Sequence, residues 1–189
     1  MIAHSLPHVT KTIRPGLSEP ERQCAELYAA HGRSIYNFVR LYTESADAAE
    51  DLTADTFLRA VRAYHQFDPG RGSARTWLFA IARNAVRDYR RQLQSRRVVR
   101  LGGLRDLVCQ LPSPEERLLY EEEVGQLLEA LHRLDEADRE LIGLRYTSEL
   151  SPDDIGRLLQ ISGAAVRTRL WRALARLRQA AEEVGLHAK

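Results

Sequence analysis

The stretch "SPDDIGRLLQISGAAVRTRLWRALARLRQ", residues 151–179, reads as two helices joined by a three-residue turn. Ser151 is placed to cap the first helix, with Pro152 at its first position and Asp153 and Asp154 in its first turn. There, the unpaired backbone N–H groups favour acids. The turn Ile161-Ser162-Gly163 follows, and Ser162 can cap the second helix. That helix carries Arg167, Arg169, Arg172, Arg176 and Arg178, with no acid before Glu182. Ile155, Leu158, Ile161, Val166 and Leu170 are spaced to pack the pair together. A short capped helix, a tight turn and a small-residue entry into a basic helix are the signature of a helix-turn-helix. A solvated basic surface is the plainer alternative for the arginines alone.

Outward from this stretch, apolar spacing is helical nearly throughout. Residues 21–42 carry Leu27, Ile35, Phe38, Val39 and Tyr42, with Gly32 expected to break or kink the helix. A second helix is expected over 47–67, with Phe57, Ala60, Val61 and Tyr64 on one stripe and Asp51, Asp55, Leu58, Arg59 and Arg62 on another. Ser73 can cap a third, running to about residue 92. Its inner face is Leu78, Ile81, Ala82, Ala85 and Tyr89, and its outer face is Arg75, Arg83, Arg87, Arg90 and Arg91. The expected class is all-α: two small helical domains joined by a flexible linker, the C-terminal one containing the helix-turn-helix. Residues 1–20 read as an irregular tail, 21–94 as the first domain, 95–114 as the linker, 115–182 as the second domain and 183–189 as a C-terminal tail.

Charge is distributed unevenly. The formal net charge is only +2, yet residues 59–100 hold eleven arginines against two acids, Asp68 and Asp88. An acidic run of Glu44, Asp47, Glu50, Asp51 and Asp55 precedes them. Lys11 and Lys189 are the only lysines, so the positive charge is almost all guanidinium, suited to bidentate contacts with phosphate or guanine. A genome rich in arginine codons would leave the same mark.

Other chemistries find little support. Cys24 and Cys109 stand alone, which reads as free thiols in a reducing cytoplasm, and Pro7 between His4 and His8 spoils a helical ligand pair. No metal or cofactor is expected. Neither a membrane-spanning apolar run nor a hydrophobic signal core is present, so the expected location is the cytoplasm. His65, Asp68 and Ser73 lie close in sequence but lack a nucleophile elbow, so no enzyme is expected.

Two segments carry a family resemblance. "AAEDLTADTFLRAVRAYHQFDPGRGSARTWLFAIARNAVRDYRRQ" and "LDEADRELIGLRYTSELSPDDIGRLLQISGAAVRTRLWRALARLRQ" resemble regions 2 and 4 of bacterial sigma factors of the extracytoplasmic-function group. The match runs from about residue 21 to 179 in the right order. The resemblance implies a detachable subunit of RNA polymerase whose first module opens the −10 promoter element and whose second grips the −35 element. Core polymerase, promoter DNA and a cognate anti-sigma factor are the implied partners. A conventional helix-turn-helix regulator is the alternative, but it leaves the pattern of residues 67–91 unexplained.

The implied site residues fall in three sets. Phe67, Arg75, Thr76, Trp77, Arg83, Asn84 and Arg87 match the −10 module: an aromatic turn to receive unstacked bases, then arginines for phosphates. Plain core packing is the alternative for Trp77. Ser162, Arg167, Thr168, Arg169, Trp171 and Arg172 match the −35 recognition helix, and Asp51, Asp55, Leu58 and Arg59 the polymerase-docking face. The chain departs from the family at Ala74, where many relatives carry an aromatic, at Val61, where a tryptophan is common, and at Gln160, where glycine often ends the first helix of the motif.

Overall fold

The computed structural model describes residues 18–97 and 114–186. Most of the expected N-terminal tail, most of the expected linker (with Cys109) and Lys189 lie outside them, while Glu19 and Pro20, expected in the tail, belong to the first helix. Seven α-helices and two single-turn 3-10 helices make up the regular structure of the described residues.

In the first module, α1 (Glu19–Arg40), α2 (Ala46–Ala63) and α3 (Ala74–Arg97) form a three-helix bundle. Each start has a chemical cause. Ser18 donates its N–H and its hydroxyl to the Glu21 carboxylate, both at 2.7 Å, while the Ser45 hydroxyl accepts from the Ala48 N–H at 3.1 Å. Ser73 does the same for the Thr76 N–H at 3.1 Å. The helices bury Ile35, Phe38, Val39, Leu52, Phe57, Leu78 and Phe79, with Phe38 edge-on to Phe79 at 5.6 Å between ring centres. Buried Thr53 and Thr56 satisfy their hydroxyls by donating to the carbonyls of Ala49 and Leu52.

Three sequence expectations are corrected here. Gly32 does not break α1, which runs through it with the Tyr28 ring beside the glycine. The second helix ends at Ala63 and tightens into a 3-10 turn over Tyr64–Gln66 instead of continuing to Phe67. The third helix continues past residue 92 to Arg97.

The second module comprises α4 (Pro114–Arg133), α5 (Glu136–Ser148), α6 (Pro152–Leu159) and α7 (Gly163–Glu183). Leu131, Leu141, Leu144, Ile155, Val166 and Ala173 form its interior. Arg139 is structural: its guanidinium donates to the carbonyls of Leu131 and His132, both at 2.8 Å, and of Leu134 at 3.0 Å. It thereby satisfies the open end of α4. Arg176, one of the five arginines of the basic helix, is tied to buried Asp138.

The helix-turn-helix forms as expected. Ser151 and Ser162 each cap their helix, accepting from the N–H groups of Asp154 and Ala165 at 3.1 Å. Gln160 takes the left-handed conformation at φ 58°, and the Ile161 N–H closes the turn on the Gly156 carbonyl at 2.9 Å. Gly156 is required by proximity, since a Cβ there would lie 2.6 Å from the Ile161 carbonyl oxygen. Opposite effects are expected from two small substitutions. Gln160→Gly relieves the left-handed strain and stabilises by about 0.5–1 kcal/mol, whereas Gly156→Ala destabilises by about 1–3 kcal/mol through overpacking. Urea titrations of both variants check this, and a Gly156→Ala protein as stable as the parent would contradict it.

Candidate nucleic-acid interface

The segment between α2 and α3 is built around three aromatic rings. The 3-10 turn delivers Phe67, Asp68 accepts from the Gly70 N–H at 2.8 Å, and a second 3-10 turn over Pro69–Arg71 leads into α3. Trp77, on the first turn of α3, packs against Phe67 at 5.2 Å and edge-on to Tyr64 at 6.3 Å between ring centres. Phe67 and Trp77 border a shallow groove of about 180 Å³, lined also by Gly72, Thr76 and Ala80, and by Leu158 from the second module. Trp77 is therefore half-buried: one part packs on its aromatic neighbours while another lines the groove. Thr76 is buried and its hydroxyl is bonded to Ser73 at 2.9 Å, so it acts within the cap of α3.

The other expected DNA-contacting polar residues of α3 fall into two groups. Asn84 and Arg87 are exposed. Arg75 and Arg83 face the second module: Arg75 pairs with Glu149 at 2.9 Å, and Arg83 is held by both oxygens of Glu140 at 2.5 and 3.2 Å. Arg90, on the same helix, pairs with Glu136. Sequence reading missed the three glutamates, because no local pattern links residues more than 40 positions apart.

On α2, Asp51 is exposed, and Leu58, at 56% exposure, is among the large apolar side chains most open to solvent. Arg59 bridges Asp55 at 2.8 Å and Asp88 of α3 at 2.7 Å. This hydrogen bond holds the Asp88 carboxyl below its usual range. Both partners are well exposed, so the bridge fixes the direction of Arg59 more than it stabilises the bundle. On α7, Arg167, Thr168, Arg169, Trp171 and Arg172 are all exposed, Trp171 at 73%. The Thr168 hydroxyl donates back to the Ala164 carbonyl at 3.2 Å.

Ser73, His65 and Asp68, close in sequence, are each engaged locally. Ser73 is engaged in its cap, His65 contacts Gln66 at 3.2 Å, and Asp68 closes the Gly70 turn. Among the described residues, no cluster of three or more His, Cys, Asp or Glu could hold a metal, and no helix is long and apolar enough to cross a membrane.

A helix-turn-helix with an open basic helix, joined to a second helical module with an arginine-rich, aromatic-headed helix, defines a protein built around DNA. The model of sigma-70 region 2 matches residues 27–97, and that of sigma-70 region 4 matches residues 130–179. The chain is 33% identical over 157 residues to the RNA polymerase sigma factor NccH of Alcaligenes xylosoxydans xylosoxydans, spanning 80% of this chain and 83% of the relative. It is 30% identical over 157 residues to the ECF RNA polymerase sigma factor SigX of Bacillus subtilis, covering 81% and 80%. Among solved structures, CnrH in complex with the cytosolic domain of CnrY superposes with a TM-score of 0.65 at 27% identity, over 86% of this chain and 90% of that one. The chain belongs to the sigma-70 family, in its extracytoplasmic-function group, and directs promoter-specific transcription as a sigma factor. The all-α class and the helix-turn-helix in the second module stand as expected, and a conventional helix-turn-helix regulator is not favoured.

Proposed function

We propose that the first module, 21–94, docks on core RNA polymerase and opens the −10 element, and that the second, 115–182, reads the −35 element. The protein acts in the cytoplasm and catalyses no reaction of its own. The observation that carries this reading is the groove bordered by Phe67 and Trp77 at the head of α3, backed by the Tyr64 ring, with Asn84 and Arg87 exposed further along the helix. A base leaving the duplex needs a ring to stack on and cations to hold its backbone, and this arrangement offers both. In α7, Arg167 and Arg172 are open to a base edge or a phosphate, beyond the Ser162 cap. A cognate anti-sigma factor is assigned as a further partner, in keeping with CnrH having been solved in complex with another protein, the cytosolic domain of CnrY.

Docking on polymerase is assigned to the outer stripe of α2: Asp51, Asp55, Leu58 and Arg59. An exposed leucine flanked by acids and one oriented arginine suits a helix-on-helix contact with a polar rim. The double variant Asp51→Lys/Asp55→Lys is expected to bind core polymerase on the order of tenfold more weakly, by reversing two charges at the contact. Asp88 keeps its hold on Arg59 in that variant, so helicity by circular dichroism stays at the parent level. Parental affinity for core polymerase would remove this face from the assignment.

A further inference from the structure

Polar side-chain atoms buried without a hydrogen-bond partner are few among the described residues, and they gather in one place. They are His31 Nδ1, Tyr42 Oη, Thr43 Oγ1 and Arg90 Nη1, and the last three belong to residues lining a single cavity of about 340 Å³. The chain just after α1 gives this cavity Tyr42, Thr43 and Glu44, and α3 gives it Arg90 and Leu93. His132 comes from the end of α4 and Arg139 from α5. Thr43 is completely buried and Tyr42 is 7% exposed, so bulk solvent satisfies neither hydroxyl. A buried hydroxyl left unpaired costs free energy, and two of them beside one hollow mark a place where a bound group supplies the partner.

The walls are fixed by packing. The Tyr42 ring stands edge-on to Phe38 at 5.5 Å between ring centres, and the Arg139 guanidinium lies 6.0 Å from its centre. Gly143, in the middle of α5, would place a Cβ 2.7 Å from Leu41 Cδ1, so α5 rests its backbone on the end of α1. Arg139 spends Nε and Nη2 on the neutral carbonyls that close α4, bonds that leave its charge uncancelled. Burial holds its guanidinium below the usual value, and the Arg90 charge pushes the same way against the pull of Glu136 and Asp135. An anion beside both arginines relieves that repulsion. Burial also pushes the Tyr42 phenol up, which keeps it protonated and able to donate. The His132 ring is held below its usual value by burial and by Arg139, and its Nε2 donates to the Leu41 carbonyl at 3.2 Å, leaving Nδ1 as an acceptor.

We infer that this cavity binds a small oxyanion, the carboxylate or phosphate group of a metabolite, taken by the Arg90 and Arg139 guanidiniums and by the Tyr42 and Thr43 hydroxyls. Charged forks joined by hydroxyl donors are the set by which proteins hold such groups. The volume is that of a small-molecule site, and Leu93 offers an apolar wall for a short carbon skeleton. Glu44 in the lining and Glu136 in contact with Arg90 oppose a polyphosphate or a nucleic-acid backbone. None of the lining residues belongs to the faces assigned to promoter DNA or polymerase. Because the lining comes from both modules, the occupied site requires them side by side, and the oxyanion favours that arrangement by its own binding free energy.

The test is an NMR titration of the isotope-labelled full chain, read by backbone amide shifts, with sodium phosphate, sodium malonate and sodium chloride at equal ionic strength. Phosphate or malonate is expected to give saturable shifts centred on residues 42–44, 132 and 139 that chloride does not give. Tyr42→Phe/Thr43→Val is expected to weaken the apparent affinity on the order of tenfold, the loss of hydrogen bonds to a charged group. That variant removes no charge, so general attraction of anions to exposed arginines is the same in it as in the parent. If it loses helicity, Tyr42→Phe alone decides. Saturation by phosphate alone or by malonate alone identifies the group the site takes and upholds the inference in either case. Shifts that match chloride, shifts confined to exposed arginines, or equal affinity in the variant overturn it and leave the cavity to water.

Discussion

Trp77→Ala is expected to initiate about ten- to a hundredfold less well than the parent from duplex promoter DNA, and nearly as well from a template pre-melted over the −10 region. Base–aromatic stacking is worth about 1–3 kcal/mol per base, which sets the size of the loss. A pre-melted template has already met the cost of unstacking, so the missing ring matters less there. Trp77 also packs on Phe67 and Tyr64, so its removal loosens the turn ahead of α3. That packing loss is limited by the half-burial of the ring, and thermal melting of the variant measures it separately. Permanganate reactivity of unpaired thymines in the −10 region should fall in parallel with initiation. An equal drop on duplex and bubble templates would make Trp77 a packing residue and move the melting role elsewhere.

The second large effect is expected in α7. Arg167→Ala/Arg172→Ala should lose protection of the upstream promoter element in footprints while the holoenzyme still assembles. A guanidinium paired to a guanine edge contributes about 1–3 kcal/mol of discrimination, so a base-reading pair would be lost on the order of a hundredfold or more. Both residues are exposed, so neither change should disturb the fold. The single variants separate the roles. A base reader relaxes sequence preference at one position, whereas a phosphate holder weakens all sequences alike and makes the salt dependence shallower. Unchanged protection in the double variant would take these arginines out of the recognition surface.

What was legible in the sequence was local. The caps at Ser73, Ser151 and Ser162 and the turn after α6 follow from neighbours within five residues, and local chemistry settles such features. The inner face of α3 was only partly visible. Leu78, Ala82 and Ala85 are buried as expected, but Phe79 and Val86 are buried too, because α3 packs between α1 and α2 on one side and meets α5 on another. A helix covered on two sides has a wider apolar face than one stripe reveals. Thr76 falls in the −10 set through the family resemblance alone; its hydroxyl is buried, a buried hydroxyl has to find a partner, and Ser73 supplies it. Arg176 and Arg178 look alike in the sequence, but Asp138, at 6% exposure, claims Arg176. The placement of the two modules was not readable at all. It depends on Gly143 meeting Leu41 and on glutamates meeting arginines far along the chain, and neither leaves a periodic trace.

The central claim is that this chain gives polymerase its promoter choice. Core RNA polymerase is run on fragmented genomic DNA with and without the protein, and transcript start sites are mapped. The account predicts a small set of start sites that appear only with the protein and share a −35 and a −10 element. Start sites that are the same with and without it would contradict the account.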